Sequence, residues 1–125
     1  MNLEWEQVVI EALDPQSLGR WWSDALKWII VNDDPDEFEI QPPADQLPGI
    51  IFLQAREPKR FKNRLHLDFR PKDQKAEVER LIALGASRLD VGQGDVSWVV
   101  LADPEGNEFC VLQERQTGAT DNERS

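Results

Sequence analysis

Two aspartates mark the pattern that most limits what this chain can fold into. Asp14 in "LDPQSLGRWWSDALKW" and Asp73 in "RPKDQKAEVERLIALG" each stand where an amphipathic helix should begin, about sixty residues apart. One alternating strand precedes each helix and three follow it. "EQVVIEA" (6–12) leads into the first helix, and "WIIVN", "EFEIQ" and "IIFLQA" come after. "RLHLDF" (64–69) leads into the second, and "SRLDV", "VSWVVLA" and "EFCVLQ" come after. A repeat this long is too long for the common solenoids and implies two paired modules. The expected class is therefore α+β, with two paired βαβββ modules in one domain spanning 1–115. Module one covers about 5–56, a basic, proline-containing linker 57–62, and module two about 63–113. Residues 116–125 hold one alanine as their only apolar residue and are expected to be a disordered tail.

The local signals agree with that frame. Asp14 is an N-cap with Pro15 at the first helical position, and Leu18, Trp21, Trp22 and Ala25 then recur at the spacing of one buried helical face. Trp28 is read with the same face. Asp73 caps the second helix and Gly85 ends it. "DDPD", "GQGD" and "DPEGN" read as turns, the last with Asp103 and Pro104 setting it and Gly106 supplying the positive φ. Superimposing the two caps puts Gln7 opposite His66, Val8 opposite Leu67 and Ile10 opposite Phe69, so the apolar faces coincide.

Composition removes several functional classes. A net charge of −10 over 125 residues argues against a nucleic-acid partner, because phosphate contacts need clustered Lys and Arg. Cys110 is the only cysteine, so no intrachain disulfide can form. The opening "MNLEWEQVVIEALD" does not read as a signal peptide, and "SWVVLA" and "IIFL" are far too short to span a membrane. A soluble cytoplasmic domain with no membrane partner is the expectation. No dinucleotide, P-loop, serine-hydrolase, zinc-protease or CxxC motif is present.

The residues able to carry chemistry are few. His66 is the only histidine, and Asp68 shares its strand face two positions on. A His-x-Asp pair can begin a facial triad for iron, but that site needs a second histidine. Three readings of His66 remain: a metal ligand, a hydrogen-bonding or acid–base group oriented by a carboxylate such as Asp68, or a satisfied structural histidine. Cys110 is either a soft ligand or nucleophile, or a small core residue. Trp98, mid-strand, is the tryptophan best placed to stack on a ligand, with core packing as the alternative. "KRFKN" (59–63) is either an attractor for an anionic ligand or a solvated linker.

"KNRLHLDFRP", "EVERLIALGASRLDVGQG" and "WVVLADPEGNEFCVLQ", together with "DPQSLGRWWSDALKW", resemble the glyoxalase-like proteins of the vicinal oxygen chelate superfamily. That superfamily also holds glyoxalase I, extradiol dioxygenases and bleomycin-resistance proteins. The resemblance covers nearly all of residues 5–113, with Lys27 standing where a glycine is usual. It implies a curved sheet around a cleft, with side chains from the first and last strands of each module converging on a divalent metal. His66 matches one ligand position and Gln7 is its counterpart in module one. Glyoxalase I has a glutamate just past the "DP-x-G" turn, and that register falls here on Cys110, with Glu108 one step along the same face. In module one the corresponding residue is expected at Leu53 or Gln54. The implied metal set is thus incomplete. Two functions stay open: a lyase or isomerase on a carbonyl substrate, with His66 as ligand or base, and a non-catalytic small-molecule binder. In either, Gln7, Asp68, Trp98 and Cys110 would contact the ligand. The resemblance also implies a homodimer.

Overall fold

Both aspartates cap their helices. In the computed structural model, which describes residues 2–89 and 96–115, the Asp14 carboxylate accepts from the Ser17 amide at 3.0 Å and opens α1, Pro15–Leu26. Asp73 accepts from the Ala76 amide at 3.1 Å and opens α2, Gln74–Leu84. Glu114 adds a second carboxylate at that end, taking the Gln74 amide at 2.9 Å. α1 closes on Lys27 at φ 61, the left-handed turn a glycine would make, so the lysine keeps that geometry. α2 closes on Gly85 at φ 124.

The strands follow the expected grammar. β1 is Gln7–Ala12, β2 Ile29–Asp33, β3 Glu37–Gln41 and β4 Gly49–Gln54; a short 3₁₀ turn, Pro43–Asp45, lies between β3 and β4. After the connector come β5 Leu67–Phe69, β6 Ser87–Arg88, β7 Val99–Ala102 and β8 Glu108–Val111. The two sheets have the same order, β1-β4-β3-β2 and β5-β8-β7-β6. In each, the first and last strands run parallel and the remaining neighbours antiparallel. This is an α+β fold of two βαβββ modules. They form two compact units, one ending at Lys59 and the other beginning at Arg60.

In the first unit, α1 packs on β3 and β4 through Leu18, Trp22 and Ala25, all buried. Gly19 is required there: a Cβ would stand 2.0 Å from Cδ1 of Phe38, which is wholly buried. Trp21 is only half-buried and meets Trp22 edge-on at 5.0 Å. Ser23 takes the fourth buried place instead, because its hydroxyl donates to the Trp28 carbonyl at 2.7 Å. Trp28 itself lies beyond the helix, which corrects its expected place on the helical face.

In the second unit, Leu101, Phe109 and Val111 are buried on one sheet face, with Phe69 edge-on to Phe109 at 5.9 Å. α2 packs on β8 and buries Val78 and Leu81. The "DPEGN" turn is held by buried Asp103, whose Oδ1 accepts from the Glu105 amide at 2.9 Å and the Asn107 amide at 3.0 Å. Gly106 there has φ 90. The expected "GQGD" turn and the 116–125 tail lie outside the described residues, as does the end of "SRLDV".

Candidate functional site

Register decides which side chains meet. β5 lies parallel to β8 with Asp68 beside Cys110, and β7 lies antiparallel to β8 with Val100 beside Cys110. Asp68, Cys110 and Val100 therefore form one row across one sheet face. Extending both registers by two residues puts Arg70, Leu112 and Trp98 in the next row. Trp98 lies one residue before β7, 39% exposed. The expected longer strand, "VSWVVLA", is thus paired only from Val99.

His66 also sits just outside its strand. The expected strand began at Arg64, but pairing starts at Leu67. The backbone turns off because the Asn63 amide donates to the Glu108 carboxylate at 2.9 Å, so a side chain replaces the ladder there. Glu108, one step along from Cys110, is thereby engaged with the connector.

The turn brings His66 back over the row. Its Nδ1 stands 2.8 Å from Asp68 Oδ1 and 3.9 Å from Cys110 Sγ. An ionised carboxylate accepts only, so in this contact Nδ1 donates to Asp68 and Nε2 is left free of it. The His66 and Asp68 side chains are 42% and 44% exposed, while Cys110 is buried. Burial first, and then the Asp68 carboxylate, push the Cys110 thiol from an ordinary 9.0 up to about 11, against a weaker pull from Lys62. Cys110 is therefore a neutral thiol near neutral pH. Lys62 belongs to the "KRFKN" segment, read from sequence as an attractor for an anionic ligand or a solvated linker; here its charge acts on the Cys110 thiol.

Gln7 lies in the other compact unit, first in β1 and beside Gly49 of β4. The two modules share one register, so the module-one residue equivalent to Cys110 can be read directly. Asp68 pairs with Cys110, and its counterpart Val9 pairs with Ile51. That residue is buried Ile51, not Leu53 or Gln54. Gln54 is otherwise occupied, its amide donating to the Leu13 carbonyl at 2.8 Å.

At the four positions that the resemblance implies as ligands stand Gln7, His66, Ile51 and Cys110. One amide, one imidazole, a hydrocarbon and a neutral thiol do not make the carboxylate-bearing set implied by the resemblance. The metal set implied by the resemblance does not fit these four residues.

A family model described as a glyoxalase-like domain matches residues 7–112, and the chain belongs to that family. Solved structures with this fold include one titled oxidase ChaP-H2, 16% identical, with a TM-score of 0.67 over 96% of this chain and 99% of that one. A glyoxalase-related enzyme from Fulvimarina pelagi is 15% identical, with a TM-score of 0.67 over 96% of this chain and 95% of that one. TnmS3, titled an antibiotic binding protein from Streptomyces sp. CB03234, is 15% identical, with a TM-score of 0.65 over 91% and 98%. No curated protein matches the sequence. At these identities the structures share the fold, which by itself carries no one activity. Among the described residues no helix is long and apolar enough to cross a membrane.

Proposed function

We propose that this protein binds a small organic molecule on the Cys110 face of the second sheet and does not transform it. The observation that carries this reading is the state of the shared metal position. A neutral, buried thiol stands at the position where the resemblance implies a glutamate, so the carboxylate that would hold an enolate-stabilising Lewis acid is missing from that strand position. What remains is suited to recognition. Asp68 keeps the His66 ring fixed at 2.8 Å through Nδ1, which leaves Nε2 to hydrogen-bond a ligand. Trp98 and Leu112 offer apolar surface on the same face, and an indole is an efficient stacking wall. Antibiotic binding by TnmS3, a protein of the same fold, lends direction to this reading.

The test is a tryptophan-fluorescence titration in chelator with metal-free bleomycin, a fused-ring aromatic quinone and a hemithioacetal. Saturable binding of one of them, weakened in Trp98→Ala and His66→Ala with no product formed, is the expected result. A second reading rests on the same pair: a histidine backed by a carboxylate is also a general base. Turnover of the hemithioacetal that disappears in His66→Ala would replace the binding reading with the enzymatic one.

A further inference from the structure

The row beyond Cys110 holds a cation that no carboxylate answers. Arg70, Leu112 and Trp98 stand side by side there, and the Leu112 amide donates to the Phe69 carbonyl at 2.8 Å, which carries the β5–β8 pairing up to that row. The Arg70 side chain is exposed, and its Nη1 donates to the Gln113 carbonyl at 2.6 Å. That bond orients the planar guanidinium and leaves Nε and Nη2 without a partner among the described residues. The neighbouring carboxylates are engaged elsewhere. Asp68, two positions back on the same face, meets His66 at 2.8 Å, and Glu114 accepts from the Gln74 amide at 2.9 Å. Among the described residues Arg70 thus forms no ion pair, in a chain with 24 acidic and 14 basic residues. At the other end of the row, Gln74 Nε2 donates to the Ser97 carbonyl at 2.7 Å and the Val111 carbonyl at 3.1 Å, which ties the backbone beside Trp98 to β8. The Trp98 indole is exposed and has no ring or hydrogen-bond partner among the described residues.

We propose that this row selects planar aromatic carboxylates, with the ring on the Trp98 indole and the carboxylate on the Arg70 guanidinium. The inference rests on the ligand-binding reading above and names the class of ligand. Neighbouring strands lie about 4.8 Å apart, so the Arg70 and Trp98 backbones, with β8 between them, are about 10 Å apart. Two fused rings bearing one carboxylate fit between two long side chains at that spacing, and Leu112 supplies an apolar floor. A guanidinium holds a carboxylate through two parallel N–H···O bonds, which a neutral amide cannot match. Gln113 already orients the fork, so less side-chain freedom is lost when the ligand arrives. Asp68 in the adjacent row repels an anion placed there, which directs the charged end of the ligand to Arg70.

The experiment is isothermal titration calorimetry of the full-length protein with naphthoate and with naphthamide, which has the same rings and no charge. Naphthoate should bind at one equivalent per chain and about tenfold or more tighter than naphthamide. Arg70→Gln should lower naphthoate to the affinity of the amide and leave the amide unchanged. Arg70→Lys, which keeps the charge and loses the fork, should fall between. Trp98→Ala should weaken both probes. Circular dichroism verifies each fold. Equal affinity for acid and amide, or Arg70 variants that weaken both alike, would overturn the proposal, while Trp98-dependent binding of the amide would keep the ligand-binding reading. Binding of neither probe would overturn it as well, and the titration with bleomycin, quinone and hemithioacetal then decides the broader reading on its own.

Discussion

Replacing Gly19 by alanine should destabilise the first module even though alanine is the better helix former. In an exposed helix the change would gain about 0.5–1 kcal/mol. Here the added methyl would stand 2.0, 2.6 and 2.8 Å from three carbons of the Phe38 ring. Carbon atoms pack at about 3.5–4.0 Å, so the ring or α1 must move by more than an ångström. The ring has little room: Phe38 is fully buried, with the Arg20 guanidinium 5.3 Å from its centroid. Arg20 is itself paired with Asp33 of β2. Overpacking of this kind costs about 1–3 kcal/mol, and a contact this short belongs at the upper end. The net loss should be about 1–2 kcal/mol, which for a chain of this size lowers Tm by about 3–8 °C. Urea denaturation and calorimetry measure it, with Phe38→Leu and the double variant completing a cycle. The smaller leucine should relieve the clash, leaving the double variant more stable than the two single losses predict by about 1 kcal/mol. A Gly19→Ala protein as stable as wild type, or strictly additive losses, would refute the packing argument.

The second module carries four further predictions. In chelator, Cys110 should react with iodoacetamide about a hundredfold more slowly at about pH 8 than an ordinary thiol, because a thiol pushed from 9.0 up to about 11 holds that much less thiolate. The inflection of the pH–rate curve separates this from mere inaccessibility, and Asp68→Asn should move it down. The same shift makes stability pH-dependent. A folded value above the unfolded one means that the contribution is whole below about pH 9 and declines as pH rises toward about 11. Urea midpoints across that window should fall in wild type and lose that component in Cys110→Ala. Asp103→Ala removes the acceptor for two buried-turn amides and for the Asn107 side chain, and should cost about 2–3 kcal/mol by urea denaturation. Asp73→Ala removes only one cap bond, with Glu114 still holding the Gln74 amide, and should cost about 1 kcal/mol by the same measurement.

Much of the fold was legible because its signals are local. An aspartate before a helical period caps whatever helix follows, and "DPEGN" makes its turn from its own side chains. The misreadings occur where a distant residue competes. Arg64, Leu65 and His66 alternate as a strand should, yet Glu108 takes the Asn63 amide and pairing waits until Leu67. Trp28 has helical spacing with Trp21, yet α1 has ended and its carbonyl serves Ser23. Leu53 and Gln54 stood where apolar alternation alone left the register open, and only the parallel pairing to β1 selects Ile51.

The sequence by itself determined two βαβββ modules, their caps and turns, and a face bearing His66 and Asp68, because these depend on neighbours a few positions away. Only the tertiary structure decided that Cys110, forty-four positions on, stands 3.9 Å from the histidine. It also decided the state of that thiol. Nothing adjacent to Cys110 in the chain raises its pKa; burial does, with the carboxylate that the β5–β8 register sets beside it. Desolvation and cross-strand Coulomb forces act through space, and the order of residues along the chain does not contain them.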